Sequence, residues 1–435
     1  MPNAATVGEK PSGVRRTSTK MVVVASSCNF LEMYDFMVFG YFARDIARAY
    51  FPTSSEFASL MLALATFGAG FLMRPVGAIV LGGYIDRRGR RSGLLLTLGL
   101  MALGTLSIAV MPTFKTIGIL APLLIVVGRL LQGLSAGATV GGVSVYLAEI
   151  AVPGREGFYV SWQSASQQAA VMLASLVGIA IVFFLPTAAV TSWGWRVPFF
   201  LGCLLIPALF WMQRALEETP AFLKRTRTLD KVELLRYVAS NWKIITIGAV
   251  LVVMSTVSFY LITAYTPTYG TIVLHLPARQ SLTVSLCVGM SNFILLPTMG
   301  ALSDKVGRRF LLITASACAL LTGYPAMLWM IGNMSFTRLL IVELWFSLVY
   351  ATYNGVVLVY LTEIMPAKVR TTSFGLAYSL AVAIFGGFTP AICTWLIHWS
   401  GNRAAPGIWL SFAALLSLTA ILMSGRFIAS ISESP

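Results

Sequence analysis

Long apolar runs recur along the chain, each about as long as a membrane-spanning helix and separated by short stretches of charge, Gly or Pro. A helix needs about 20 mostly apolar residues to cross the roughly 30 Å hydrocarbon core of a bilayer. The period-two alternation of a membrane β-barrel does not occur. The sequence therefore predicts an all-α integral membrane protein with twelve transmembrane helices. These spans lie near 21–43, 57–81, 92–112, 118–149, 158–186, 196–213, 244–270, 280–302, 310–331, 338–364, 373–397 and 407–427.

The longest polar stretch, residues 214–243, divides the apolar runs six and six. We therefore predict an N-terminal six-helix bundle at 21–213, a cytoplasmic linker at 214–243 and a C-terminal six-helix bundle at 244–435. A polar tail at 1–20 precedes the first bundle. Residues 232–237 of the linker have the pattern of a short amphipathic surface helix.

Composition and charge agree with a membrane protein. Charged residues make up 11% of the chain and the mean hydropathy is +0.81, whereas a soluble protein carries roughly 25% charged residues. The net charge of +15 would suit a nucleic-acid partner only if the cations formed one accessible face. Because they are distributed between the spans, we expect no nucleic-acid partner.

The Lys and Arg residues also predict the orientation. Of these 31 residues, 22 flank the spans on the side that holds both termini, and seven lie on the other side. Cytoplasmic flanks retain positive charge, so both termini are predicted to be cytoplasmic. The two remaining cations, Arg74 and Arg129, fall inside predicted spans.

The two halves contain the same motifs in the same order. Residues 82–91 recur as 300–309, a shift of 218, and residues 146–150 recur as 360–364, a shift of 214. Each half crosses the membrane six times, so both halves have the same orientation. Such a parallel repeat places the solute site between the halves, near the bilayer midplane.

The repeated loop resembles the signature loop of the major facilitator superfamily. Its Gly residues allow sharp turns, its Asp complements a helix dipole, and its Arg residues can pair with a carboxylate through a planar fork. In that family the loop arginines and a Glu at the end of spans four and ten form a cytoplasmic latch. The resemblance implies that Arg90 or Arg91 pairs with Glu149, and that Arg308 or Arg309 pairs with Glu363. The implied latch residues are Asp86, Arg90, Arg91, Glu149, Asp304, Arg308, Arg309 and Glu363.

Further segments resemble the metabolite:proton symporter branch of this family, and most of all its citrate–proton symporters and tricarballylate transporters. These segments are 29–35, 71–77, 128–133, 142–146 and 161–168. The resemblance implies proton coupling and a bacterial inner-membrane location. The chain departs from the citrate carriers that it resembles in one respect: their pattern has an acidic residue within 136–142, where this chain has Ala138, Thr139 and Val140. Citrate and tricarballylate therefore both remain candidate substrates.

The buried charges indicate how a solute could be coupled to protons. An Arg near the bilayer centre costs about 2.5–3.5 kcal/mol and usually faces a partner or a cavity. Glu32 and Asp35 share one helix face at a depth that allows an ion pair with Arg129. Such a pair could simply fix helix packing. Alternatively, an arriving anion competes for the arginine, and the released carboxylate then takes up a proton.

Carboxylate solutes are favoured because the intramembrane cations are arginines, which bind carboxylates bidentately. The polar side chains of span five add neutral donors, whereas their counterparts near Ala377, Tyr378 and Ala381 are less polar, so we expect the N-terminal half to supply most charge recognition. Candidates from the second half could equally be helix-contact residues, and Glu343 could lie at the outer interface. The predicted coupling carboxylates are Glu32, Asp35 and Glu343. The predicted substrate-binding residues are Asn29, Arg74, Arg129, Gln132, Gln163, Ser164, Gln167, Tyr265, Asn292, Tyr353 and Asn354.

These features predict a symporter that imports a tricarboxylate with protons by alternating access. The alternative is a proton-coupled importer of another small metabolite, such as shikimate, a dicarboxylate or a zwitterionic osmolyte. The sequence shows no nucleophile with a base, no metal-ligand spacing and no nucleotide-binding loop. We therefore expect no enzymatic activity and no cofactor, and a monomer as the functional unit.

Overall fold

The computed structural model describes residues 19–88, 90–137, 139–214, 236, 239–365 and 370–432. Every regular element in this part of the chain is helical, which confirms the all-α prediction. The helices before the predicted linker are α1 (Thr19–Tyr41), α2 (Ala43–Tyr50), α3 (Glu56–Leu72), α4 (Arg74–Arg88), α5 (Arg90–Val110), α6 (Phe114–Ile117), α7 (Leu120–Ala136), α8 (Thr139–Ile150), α9 (Glu156–Phe184), α10 (Thr187–Ser192) and α11 (Val197–Arg214). A short 3-10 turn, Gly194–Arg196, precedes α11.

Eight α-helices follow the predicted linker. They are α12 (Trp242–Tyr260), α13 (Thr266–Thr268), α14 (Ala278–Val306), α15 (Arg308–Ile331), α16 (Phe336–Ile364), α17 (Arg370–Ala381), α18 (Thr389–Ser400) and α19 (Ala405–Ser432). Three π-helical segments join some of them, at Leu261–Tyr265, Tyr269–Val273 and Val382–Gly386. The predicted amphipathic helix at 232–237 lies largely outside the described residues.

Nine helical stretches of the described chain are long and apolar enough to cross a membrane. Two shorter apolar helices, Leu95–Val110 and Gly194–Ala208, coincide with the predicted third and sixth spans. The helix α1 coincides with the first. All twelve predicted spans therefore correspond to helices.

Three predicted spans are interrupted rather than continuous. The second is broken at Met73, between α3 and α4. The seventh contains two π segments around Pro267, and the eleventh contains one just before Pro390. Proline cannot donate the backbone hydrogen bond of a helix interior, and π segments are frequent at functional sites. The interruptions bring irregular backbone to the middle of the protein.

Glycines bring the second and fourth spans into backbone contact. A Cβ atom built on Gly133 would lie 1.5 Å from the Gly70 carbonyl oxygen, and one on Gly137 would lie 2.0 Å from the Arg74 carbonyl oxygen. Without a hydrophobic drive between helices in lipid, small residues allow the close packing that holds them together. This packing fixes Arg74 and Arg129 on neighbouring helices.

The two halves meet near both ends of the protein. Towards the predicted cytoplasmic end, a Cβ on Gly157 of α9 would lie 2.4 Å from the Gly300 carbonyl oxygen of α14. In the middle, a Cβ on Gly68 would lie 2.5 Å from the Phe388 ring, and one on Gly387 would lie 2.4 Å from the Phe71 ring. Towards the opposite end, the ring of Phe57 in α3 stacks on that of His398 in α18, with centroids 3.8 Å apart. The described residues of the two halves are therefore in contact towards both ends.

Candidate functional site

Arg74 and Glu32 form a buried ion pair at the break in the second span. Arg74 is the first residue of α4, and its Nη2 atom donates a 2.5 Å hydrogen bond to Glu32 Oε1. Thr139 Oγ1 donates to the second oxygen of Glu32 at 3.2 Å. The Arg74 side chain is 1% exposed, and its Nε and Nη1 atoms have no hydrogen-bond partner among the described residues. Arg74 therefore retains donors that an anion could occupy.

Arg129 and Asp35 form a second buried pair deeper in the N-terminal half. Arg129 Nη1 donates to Asp35 Oδ2 at 3.0 Å and to Gln132 Oε1 at 2.7 Å. Gln132 Nε2 donates in turn to Asp35 Oδ2 at 2.7 Å. The guanidinium carbon of Arg129 lies 3.8 Å from the centroid of the Phe39 ring, and its Nε and Nη2 atoms have no partner within the described chain. This second arginine also keeps unused donors.

The sequence analysis expected Arg129 to be the partner of the two carboxylates on α1. The structure instead pairs Glu32 with Arg74 and Asp35 with Arg129. Three residues advance a helix by about 4.5 Å, which is enough to place each carboxylate opposite a different arginine. Two separate charge pairs follow.

A small cavity lies between the two halves. It contacts Met33, Gln167, Ser255, Thr256, Phe259, Tyr260, Tyr350, Asn354 and Tyr378. The Phe71 ring, whose centroid lies 4.6 Å from the guanidinium carbon of Arg74, is 5.1 Å from the ring of the cavity-lining Tyr260. The cavity volume is about 10 Å³, which is about enough for one water molecule. A small organic anion could enter only after the halves separate.

The other predicted polar residues of the N-terminal half continue this region on α1 and α9. Asn29, Gln163 and Ser164 are at most 2% exposed. Ser164 Oγ donates to Gln163 Oε1 at 2.9 Å. Both polar side-chain atoms of Asn29, and the Nε2 atoms of Gln163 and Gln167, have no hydrogen-bond partner in the described structure. Unpaired buried polar atoms are costly, so these groups are candidates to meet solute or water.

The predicted residues of the C-terminal half divide into two groups. Asn354 lines the cavity and accepts a hydrogen bond from the Ser255 hydroxyl. By contrast, Tyr353 donates to the Leu251 carbonyl oxygen at 2.6 Å, Asn292 accepts from Ser347 at 2.7 Å, and Tyr265 accepts from Thr394 at 3.2 Å. Those three residues form their hydrogen bonds within the C-terminal half and do not line the described cavity. Their geometry matches the helix-contact alternative that the sequence left open.

Glu343 lies in the interior of the C-terminal half and is 7% exposed. Thr266 Oγ1 donates to its Oε1 atom at 2.9 Å, whereas its Oε2 atom has no partner among the described residues. None of the ion pairs found within the described chain involves Glu343. It therefore differs from Glu32 and Asp35, each of which faces an arginine.

The latch motif of the second half brings four charged side chains together. Arg308 Nη2 lies 2.9 Å from Glu363 Oε1, 3.5 Å from Asp304 Oδ1 and 3.7 Å from Glu156 Oε2. Of the two alternatives, Arg308 is thus the arginine that faces Glu363, and Arg309 instead donates to the Leu422 carbonyl oxygen at 3.5 Å.

Asp304 joins the two halves. Its Oδ1 and Oδ2 atoms accept hydrogen bonds from the backbone N–H groups of Gly157 at 2.9 Å and Phe158 at 3.1 Å, in the first turn of α9. The first N–H groups of a helix have no partner within the helix, so a carboxylate there is favourable. The sequence analysis did not identify this contact or Glu156. The side chains of Asp86, Arg90 and Arg91 lie outside the described part, so their pairing with Glu149 stays a prediction.

Sequence reasoning also missed three tyrosines that line the cavity from the C-terminal half, namely Tyr260, Tyr350 and Tyr378. The sequence around Tyr378 is less polar than the matching part of span five, so little charge recognition was expected there. Because a tyrosine has an apolar ring and a single polar tip, its hydroxyl is easily overlooked in an apolar helix. Helix rotation, which the sequence does not specify, decides whether that hydroxyl reaches the cavity.

Two helical halves that enclose buried charge pairs around a closed central cavity define a membrane transporter of the alternating-access class. Residues 25–390 match the family model of the Major Facilitator Superfamily. The chain belongs to this superfamily.

Named relatives and a solved structure agree with this assignment. The chain is 54% identical over 413 residues to a citrate-proton symporter of Salmonella typhi, covering 95% of each protein. It is 53% identical to a citrate-proton symporter of Klebsiella pneumoniae, covering 92% of this chain and 90% of the relative. An alpha-ketoglutarate permease of Escherichia coli K12 is 34% identical, with 84% of each covered. The Escherichia coli xylose transporter XylE superposes with a TM-score of 0.75 at 18% identity, covering 94% of this chain and 97% of XylE. The family and this structural match confirm the twelve-helix fold.

Proposed function

We propose that this protein is a proton-coupled symporter that imports a tricarboxylate, citrate or tricarballylate, by alternating access. The observation that carries the proposal is the pair of buried arginines, each held by one carboxylate and each retaining two nitrogen atoms without a hydrogen-bond partner in the described structure. Arginine forks suit carboxylates because two parallel N–H groups match the two oxygens. The similarity to two citrate-proton symporters supports the choice of substrate.

Competition for Arg74 provides the coupling step. A substrate carboxylate that binds the free nitrogen atoms of Arg74 weakens the hold of that arginine on Glu32. A buried carboxylate without a cation favours the protonated, neutral form. Substrate and proton therefore enter the site together, and release of one favours release of the other.

Asp35 and Arg129 provide a second exchange site of the same kind, with Gln132 holding the carboxylate in place. Because the Phe71 ring contacts both the guanidinium of Arg74 and the ring of the cavity-lining Tyr260, we assign first contact with the substrate to Arg74. Glu343 is a third candidate for a proton-carrying carboxylate. Substrate-binding roles for Asn29, Gln163, Ser164, Gln167 and the cavity-lining Asn354 belong to the same proposal.

The latch around Asp304 and Arg308 governs access from the cytoplasm in this proposal. At one end of α14, Asp304 accepts hydrogen bonds from the start of α9, and Arg308 lies 3.7 Å from Glu156 of α9, so these contacts join the two halves. Breaking them would open the cavity on that side, whereas separating Phe71 from Gly387 and Phe388 from Gly68 would open the other. Each half then moves as a body about the central site.

The wider arrangement follows from the charge pattern and the family. We propose bundles at 21–213 and 244–435 joined by a cytoplasmic linker, both termini in the cytoplasm, and residence in a bacterial inner membrane as a monomeric functional unit. The proposed partners are the anionic solute, protons and lipid. Nucleic acid, cofactors and an enzymatic reaction have no part in the proposed cycle.

The test is uptake of radiolabelled citrate by the purified protein in proteoliposomes under an imposed inward proton gradient. We expect uptake that collapses when an uncoupler dissipates the gradient and that unlabelled citrate and tricarballylate inhibit. Protein-free liposomes are the control. Uptake that is independent of the gradient would contradict proton coupling.

A second candidate substrate is a dicarboxylate, which the 34% identity to an alpha-ketoglutarate permease favours. Competition by succinate, shikimate and betaine in the same assay separates the candidates. Inhibition by succinate alone would assign a dicarboxylate. Uptake of radiolabelled betaine without uptake of radiolabelled citrate or succinate would exclude an anion carrier and would leave the buried arginines as structural residues.

A further inference from the structure

Two tyrosines of the C-terminal half, Tyr260 and Tyr378, line the central cavity together with Met33, the residue that follows Glu32 in α1. We propose that Tyr260 and Tyr378 complete the carboxylate site from this second half, so that one bound tricarboxylate connects both halves of the protein. The inference rests on the proposed function and specifies how the same site selects its substrate.

The cavity contains groups from both halves. Met33 and Gln167 come from α1 and α9, and Tyr260 and Tyr378 come from α12 and α17. Tyr260 is the last residue of α12 and directly precedes the π segment Leu261–Tyr265. Tyr378 lies one turn before the π segment Val382–Gly386. Both tyrosines thus lie where an interrupted helix reaches the cavity.

Aromatic contacts connect these tyrosines to Arg74. The guanidinium carbon of Arg74 lies 4.6 Å from the centroid of the Phe71 ring, and that ring lies 5.1 Å from the Tyr260 ring at an interplanar angle of 74°. Tyr378 lines the same cavity, and its helix α17 packs against α4, the helix that begins at Arg74. Arg74 and the two tyrosines are therefore linked by packing contacts across the boundary between the halves.

A tricarboxylate needs such a second set of donors. The planar fork of Arg74 can hold one carboxylate, and every other carboxylate that leaves water without a donor carries a large desolvation cost. The phenol O–H groups supply neutral donors on the opposite side of the site. Hydrogen bonds to a charged group are the stronger kind, so these hydroxyls can contribute substantially to affinity.

This placement also connects binding with closure. The phenols and the arginine belong to different halves, so one anion can contact both only when the halves approach. A ligand shifts a conformational equilibrium through its differential affinity for the two states. A tricarboxylate that bridges Arg74 and the tyrosines favours the closed state, whereas a shorter dicarboxylate held by Arg74 gains less from closure. Tyr260 and Tyr378 thereby make the transporter prefer a substrate with three carboxylates to one with two.

The experiment compares Tyr260→Phe and Tyr378→Phe with the matched control Tyr353→Phe. Tyr353 is a buried tyrosine whose hydroxyl donates to the Leu251 carbonyl oxygen away from the cavity. Purified proteins in proteoliposomes are assayed for the KM and maximal rate of citrate uptake and for inhibition by succinate. We expect each cavity variant to raise the KM for citrate about tenfold, with the maximal rate within about twofold and succinate inhibition nearly unchanged. The control should keep the wild-type KM.

The outcomes separate this inference from the proposed function. If the wild-type protein takes up citrate and both cavity variants keep its KM, the role of the tyrosines is overturned. The proposed symporter function would stand. A lower maximal rate at unchanged KM would also overturn it, because a packing role predicts that result. Failure of the wild-type protein to take up citrate would overturn both proposals.

Discussion

Arg129 of α7 donates a 3.0 Å hydrogen bond to Asp35 of α1, and neither side chain is more than 1% exposed. This bond joins two helices of the same half around a charge that the bilayer interior disfavours. Two nitrogen atoms of Arg129 remain without a partner in the described structure. The pair is therefore fixed in position but incompletely bonded, which is the condition that an exchange site for anions requires.

Arg129→Lys tests whether the planar fork matters in addition to the charge. Lysine keeps the positive charge but cannot donate two parallel hydrogen bonds or stack in the same way over the Phe39 ring. We expect citrate uptake to fall at least tenfold in Arg129→Lys and to be lost in Arg129→Ala, because the latter leaves Asp35 buried without a cation. Arg279→Lys in the first turn of α14 is the control. Near-normal uptake by Arg129→Ala would remove this residue from the mechanism.

Glu32→Gln tests the proton-coupling role of the carboxylate that faces Arg74. Glutamine keeps the shape of the side chain but cannot bind and release a proton in the transport cycle. We expect net uptake driven by a proton gradient to fall at least tenfold, while exchange of citrate across the membrane without a gradient continues. The pH profile of the exchange should flatten. An unchanged profile in Glu32→Gln would move the coupling role to Asp35 or Glu343, and Asp35→Asn and Glu343→Gln would then be measured in the same assay.

Gly133→Ala tests the contact between the second and fourth spans. The added Cβ would lie 1.5 Å from the Gly70 carbonyl oxygen, a backbone atom that cannot move aside alone. Overpacking of this kind costs roughly 1–3 kcal/mol, so we expect a clearly lower melting temperature in detergent. Gly99→Ala is the matched control because no atom lies within 4 Å of its added Cβ. Equal melting temperatures for the two variants would contradict the described packing.

Gly300→Ala tests closure at the predicted cytoplasmic end. Its Cβ would lie 2.5 Å from the Gly157 carbonyl oxygen of the other half, whereas Gly142→Ala meets no atom within 4 Å. We expect Gly300→Ala to hold the latch side open and to reduce uptake at least tenfold without loss of folded protein. The measurement is alkylation of a cysteine introduced at Ser161, with the native cysteines replaced. Faster alkylation in Gly300→Ala than in Gly142→Ala is the expected result, and equal rates would show that this contact does not control access.

The fold could be predicted from the sequence because its causes are local. Twenty-residue apolar runs can satisfy their backbone within lipid only as helices, so the number and placement of the spans follow directly from hydropathy. The duplicated motifs at 82–91 and 300–309 reveal the parallel repeat, since both halves contain them at nearly the same spacing. Charge inside an apolar run likewise identifies Arg74 and Arg129 without any coordinates.

Tertiary structure decided which groups meet. The pairing of Glu32 with Arg74 depends on how α1 is rotated against α4, and no linear pattern records that rotation. The contact between Asp304 and the first turn of α9 spans 147 residues and joins two halves whose mutual position is set by packing alone. Only the arrangement of the interrupted helices brings the tyrosines to the wall of the cavity. The sequence by itself determined which residues must enter the membrane, because burial follows from local composition. Only the folded structure decided which of them face one another across the two halves, because that depends on helix rotation and docking.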